Sequence, residues 1–110
     1  MHFPFVYLSC LTILSTTLYG ASTYAAANVS TRQMGASCAA CHGTNGNSVG
    51  ATPVLAGLDR KHFIRQMRDF KSGVRPATVM HRHAKGYSDA EIEKLADYFA
   101  AQKRTPWPSI

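Results

Sequence analysis

Five consecutive residues, Cys38-Ala39-Ala40-Cys41-His42, restrict what this chain can fold into more than any other stretch. Two thiols spaced in this way, with an imidazole directly after the second, add to the vinyl groups of one haem and put the histidine on its iron. The spacing suits the chemistry, because on a tightly turned backbone both sulfurs meet one porphyrin edge while His42 projects beneath the metal. Cys-x-x-Cys also occurs in thiol redox pairs, which come with a thioredoxin-like βαβ pattern, and in zinc sites, which need further Cys or His at metal spacing. The sequence has neither accompaniment. Cys38 and Cys41 are therefore expected to hold one covalent haem c, with His42 as an axial iron ligand.

At 110 residues there is room for one small domain, and a domain of that size is marginal on its own apolar core. A large apolar disc tethered at several points would supply that core. The third cysteine, Cys10, lies in an apolar N-terminal stretch, so no structural disulfide is expected. Twelve Lys and Arg against six Asp and Glu give a formal charge of +6 and a pI near 9.6. The cations are spread along the chain without a DNA- or RNA-binding motif, and haem propionates would offset part of the charge. A basic face for an acidic protein partner is the better reading; nucleic acid is not expected.

Residues 1–27 read as a secretory signal peptide. The stretch from Phe3 to Tyr19 is apolar or hydroxylic and uncharged, and it leads into small residues that allow cleavage after Ala25 or Ala27. Its n-region departs from the pattern, with only His2 and the amino terminus. The apolar core is short and lacks a basic stop-transfer flank, so no membrane anchor is expected after cleavage. This makes 28–110 the folded domain and the periplasm its compartment, in keeping with attachment of c-type haem outside the cytoplasmic membrane.

The domain reads as all-α, with three main helices and glycine-rich loops wrapped around the haem. A first helix is expected from about Ser30 into the cysteine motif, with Gly35 and Ala36 allowing close helix approach. Gly43 to Gly50 is a loop, since its glycines and asparagines tolerate positive φ. Asp59 can cap a second helix that turns Phe63, Met67 and Phe70 to one side and ends at Gly73. Arg60, Lys61, Arg65, Arg68 and Lys71 occupy its other side, as a solvated face or a docking face. Ser88 to Glu91 is a capping box opening a third helix, which should bury Ile92, Leu95, Tyr98 and Phe99 and end near Gln102. Trp107, in the proline-rich tail, is expected to pack.

A haem that passes electrons usually has both axial positions filled, and a thioether opposite imidazole favours ferrous iron. Met80, in the loop from Arg75 between the second and third helices, is the expected sixth ligand. Met67, His81 and His83 are its rivals; Met67 falls on an apolar helical face and reads as core. His62 reads as a surface residue, and His81 with His83 could bind a surface copper or zinc ion. His42 needs its second ring nitrogen held, and the carbonyl of Pro53 is the candidate acceptor.

The haem motif, the Pro53 loop, the Met80 loop and the final helix together resemble class I cytochrome c. More narrowly, Cys38 to Gly46, Phe70 to Arg75, Gly86 to Asp89 and Leu95 to Ala100 resemble the haem subunit of flavocytochrome c sulfide dehydrogenase, in a form with one haem. The resemblance implies that Cys38 and Cys41 hold the haem and that His42 and Met80 ligate it. It also implies a flavoprotein partner that oxidises sulfide and delivers electrons, in a heterodimer. The chain itself has no dinucleotide fingerprint and no cysteine left over for sulfur, so it is expected to be an electron carrier and not an enzyme. Two alternatives stay open: a freely diffusing periplasmic cytochrome serving a terminal oxidase or peroxidase, and a haem that loses Met80 and binds small ligands.

Overall fold

The computed structural model describes residues 29–106, and every regular element in that range is helical. The expected signal peptide, Cys10 and Trp107 lie outside the described residues. Helix α1 covers 29–42 and ends with the cysteine motif on its last turns. Gly43 then adopts φ +78° and donates its N–H to the Ala39 carbonyl, closing the helix. A single 3-10 turn, Thr44–Gly46, follows inside the expected loop, with Asn45 at φ 53° and Gly46 at φ 77°.

Helix α2 spans Arg60–Ser72, begins where the Asp59 side chain accepts from the His62 N–H, and ends at Gly73 in the left-handed conformation. Both caps agree with the expectation from sequence. Helix α4 spans Asp89–Ala100 with the complete Ser88–Glu91 capping box. It stops two residues short of the expected end, at an Ala101 cap.

Between them lies an element that the three-helix reading left out. Helix α3, Met80–Lys85, makes Met80 the first residue of a helix instead of the last residue of a loop. Its N-cap is Val79, which offers no side-chain bond, and it is only six residues long. Packing holds it: Ala84 is completely buried in the core cluster.

From Thr31 onward the chain forms one compact unit. Its core is built from Phe63, Ile64 and Met67 of α2, Ala84 of α3, and Ile92, Leu95, Ala96 and Phe99 of α4. Phe99 stacks at a tilt on Phe63, 5.7 Å between ring centroids, and meets Tyr98 edge-on at 5.0 Å. Tyr98, expected inside, is half-buried because it lies over Gly35 of α1; a Cβ there would sit 2.5 Å from its ring. Phe70 is also half-buried, and Arg75 covers its ring at 5.0 Å.

The basic face of α2 is largely occupied. Arg60 reaches Asp97 at 2.6 Å and Glu93 at 3.4 Å, Arg68 reaches Glu93 at 3.4 Å, and Lys71 reaches Asp89 at 3.0 Å. These pairs join α2 to α4. Their ends are solvent-exposed for the most part, so they fix orientation more than they add stability. No described helix is long and apolar enough to cross a membrane.

Candidate haem site

The cysteines are set by helix periodicity. Cys38 and Cys41 stand three residues apart on α1, which places their side chains on neighbouring turns of one helical face. Both are free thiols. Cys38 is half-buried against the core cluster and Cys41 is exposed, so the pair runs from the apolar interior towards the surface. Burial pushes the Cys38 thiol above its ordinary pKa, against weaker opposing hydrogen bonds from Ser37 and Tyr87.

His42, the last residue of α1, is the one buried polar side chain of the described residues, 8% exposed. Its Nδ1 donates to the Pro53 carbonyl at 2.7 Å. A carbonyl only accepts, so Nδ1 carries a proton, and in the neutral ring the lone pair then lies on Nε2, the tautomer that a metal-binding imidazole requires. Pro53 is carried by an exposed bend whose downstream end is anchored: Leu55 and Ala56 both donate to the Gly46 carbonyl, at 2.8 and 3.1 Å. Sequence reasoning paired these two residues, and the structure brings them together.

Met80 is half-buried and packs on the core cluster, as Cys38 does. It stands four residues before the buried Ala84, so the two share the inward face of α3. Met67 is inside the cluster at 5% exposure and packs as core. His81 is half-buried and His83 exposed. Two residues apart on a helix, their side chains do not face each other. Among the described residues no group of three metal-ligating side chains converges.

The residues fit a haem. Two unpaired thiols and a tautomer-fixed imidazole come from α1 and a thioether from α3, and Leu55, Leu58, Phe70 and Tyr87, packed against the same core, remain only partly covered by protein. That half-covered apolar margin is the kind of surface a flat macrocycle completes.

A cytochrome c family profile matches residues 26–103. The chain belongs to the cytochrome c family. Its cofactor is covalent haem c, as the cysteine motif implied. Over 63 residues it is 49% identical to the cytochrome subunit of sulfide dehydrogenase from Chlorobaculum tepidum, covering 57% of each chain. It is 40% identical over 67 residues to cytochrome c4 of Pseudomonas aeruginosa, covering 60% of this chain and 33% of that protein. It is also 40% identical over 76 residues to the thiosulfate dehydrogenase electron acceptor of Thiomonas intermedia, covering 67% of this chain and 35% of the other. The chain thus spans between a third and somewhat over half the length of these relatives.

Two features of the site gave no local signal in sequence. Ser37 and Tyr87, fifty positions apart, share a 3.0 Å hydrogen bond that ties α1 to the start of the α4 cap. Asn47 clamps the C-terminal segment: its Nδ2 donates to the Lys103 carbonyl at 3.1 Å and its Oδ1 accepts from the Thr105 N–H at 2.8 Å. Both depend on long-range packing.

Proposed function

We propose that this chain is a one-electron carrier, the haem subunit that accepts electrons from a sulfide-oxidising flavoprotein. In this reading Cys38 and Cys41 form the two thioethers, His42 and Met80 fill the axial positions, and residues 28–110 are the working domain. Residues 1–27 direct export, so the protein works in the periplasm. The observation that carries the site assignment is the 2.7 Å bond from His42 to Pro53, which leaves Nε2 of a buried imidazole free beside two free thiols. Bound haem supplies reversible one-electron iron chemistry. The chain would hold it through Cys38, Cys41, His42 and Met80, shield it with the α2 and α4 core, and tune its potential through the Met80 thioether and the His42 imidazole. Oxidation of sulfide is the partner's chemistry. The identity to the Chlorobaculum tepidum subunit supports sulfide as the ultimate donor; the Thiomonas intermedia relative makes a thiosulfate-oxidising enzyme the runner-up.

Met80→Ala tests the ligand set. It should remove the methionine-to-iron charge-transfer band and lower the potential; persistence of that band moves the ligand elsewhere. For the partner, the tagged holoprotein should co-purify with a flavoprotein and be reduced by sulfide only in its presence. A haem reduced no faster when the flavoprotein is added contradicts the reading.

A further inference from the structure

The stretch that carries Pro53 is held mainly at its ends. Among the described residues, Ser48 to Val54 make no backbone–backbone hydrogen bond, and apart from the His42 contact their one tie is the Gly50 N–H on Ser48 Oγ at 3.3 Å. Before this stretch the Asn47 N–H donates to the Thr44 carbonyl at 3.0 Å; after it Leu55 and Ala56 are fixed on Gly46, and Gly57 donates to the Phe99 carbonyl at 2.9 Å. The segment that follows α4 crosses both ends. It passes Gly57, where a Cβ would sit 3.6 Å from the Gln102 carbonyl oxygen and 3.9 Å from Arg104 Cβ. It then meets Asn47, whose half-buried amide bonds to the backbone of Lys103 and Thr105 from 56 and 58 positions away. One partner is a carbonyl and the other an N–H, so a single orientation of the amide satisfies both. The Asn47 backbone in turn lies against the residue after His42: a Cβ on Gly43, at φ +78°, would overlap the Asn47 carbonyl group, 2.7 Å from its carbon. Displacement of Asn47 is therefore felt at Gly43 and at the root of the Pro53 stretch.

We propose that Asn47 is a positioning residue for His42: by fastening the Lys103–Thr105 backbone across the loop, it keeps the Pro53 carbonyl on Nδ1 and so sets how strongly the imidazole donates to iron. This deepens the ligand assignment proposed above and rests on it. A carbonyl that accepts from the outer ring nitrogen orients a metal-bound imidazole and raises its basicity. Pro53 does not hold that place unaided, being exposed, without an N–H of its own and flanked by residues that make no backbone ladder. Asn47 supplies two bonds from outside the loop at the point where the stretch departs. Without them the residues from Ser48 onward gain freedom, the Nδ1 bond is made for less of the time, and the imidazole becomes a poorer donor. Ferric iron is then stabilised less, and the potential rises.

The test compares holoproteins: the unmodified chain, Asn47→Ala, Thr105→Pro, these two combined, and Ser88→Ala at the α4 cap. Thr105→Pro removes the N–H that meets Asn47 Oδ1 and changes no charge. Ser88→Ala lowers stability away from the loop and serves as the control. NMR of the ferrous form reads solvent exchange of the His42 Nδ1 proton, and electrochemistry reads the potential. Asn47→Ala should speed that exchange about tenfold or more, the factor that two hydrogen bonds of ordinary strength allow, and raise the potential. Thr105→Pro should move both in the same direction by less, and the combined variant should go no further than Asn47→Ala. Unchanged exchange and potential in Asn47→Ala overturn the inference. So do equal changes in Ser88→Ala, which would mark general loosening, and additive changes in the combined variant, which would take the C-terminal segment out of the path. Where Asn47→Ala yields no holoprotein, Thr105→Pro decides: faster exchange with a raised potential upholds the inference, and no change overturns it. His42 ring protons of the unmodified ferric protein must also carry the shift that bound iron imposes. Their lack of it sinks the ligand assignment and this inference together, whereas shifted protons with unmoved variants overturn this inference alone.

Discussion

At the scale of single residues, two glycines show how closely this small unit is assembled. Gly46 is buried at φ +77°, and a Cβ on it would lie 2.8 Å from Leu55 Cβ and 2.9 Å from both Ala56 N and Phe99 Cδ1. Its carbonyl also accepts the two bonds that anchor the segment following Pro53. Gly46→Ala therefore combines an unfavourable backbone conformation with an overlap against backbone and core, a cost of about 2 kcal/mol or more. Gly50 has nothing within 4 Å of its would-be Cβ and no positive φ. Gly50→Ala should be neutral or slightly stabilising. Guanidinium titrations of the two holoproteins check this; similar midpoints would refute the packing described around Gly46. The site residues were legible because their chemistry is tied to sequence spacing: the thiol pair, the following histidine and a proline carbonyl within one loop. Tyr98 and Phe70 were placed less well. Helical periodicity assigns a side, but the position of Gly35 and the stacking of Arg75 decide how deeply each ring is covered.

Among the elements, α2 and α4 were legible since each carries its own start signal, Asp59 and Ser88, and a regular apolar stripe. Helix α3 has no capping side chain, and Met-His-Arg-His-Ala-Lys has no apolar period; its helicity comes from seating Ala84. The capping box also makes a pH prediction. Hydrogen bonds from the Ser88 N–H and Oγ hold the Glu91 carboxyl below its usual pKa, and Lys71 does the same for Asp89. A carboxyl that is more acidic in the folded than in the unfolded chain stabilises the fold above the ordinary carboxylate range, and that contribution is lost as pH falls through it. Ser88→Ala should cost about 1 kcal/mol at neutral pH. The deficit should shrink in part in acid, where the Ser88 Oγ bond to the Glu91 carboxylate weakens while the bond from the Glu91 N–H to Ser88 Oγ is kept. Thermal melts of both holoproteins from about pH 7 to pH 3 would show it, and a deficit independent of pH would mean that Glu91 is not involved.

At the scale of the whole molecule, the buried apolar set among the described residues is Ala56, Phe63, Ile64, Met67, Ala84, Ile92, Leu95, Ala96 and Phe99, three of them alanines. A domain of this length with so small a core rarely gains more than about 3–5 kcal/mol from it. The ion pairs between α2 and α4 add little, being exposed and screened. Packed against this core, Leu55, Leu58, Phe70, Met80 and Tyr87 are left half-covered, apolar area whose burial awaits another surface. The tertiary balance is therefore expected to depend on haem, which Cys38 and Cys41 would tie to α1. Haem-free chain, made as the Cys38→Ser, Cys41→Ser double variant and also as the unmatured parent, should lose most of its helical circular dichroism at room temperature. Helix α3 and the segment after Pro53 should be the first to lose amide protection, because neither has a cap or periodicity of its own to sustain it. A haem-free chain with the helix content and amide protection of the holoprotein would mean that the α2–α4 core suffices, and that the haem is a passenger in the fold.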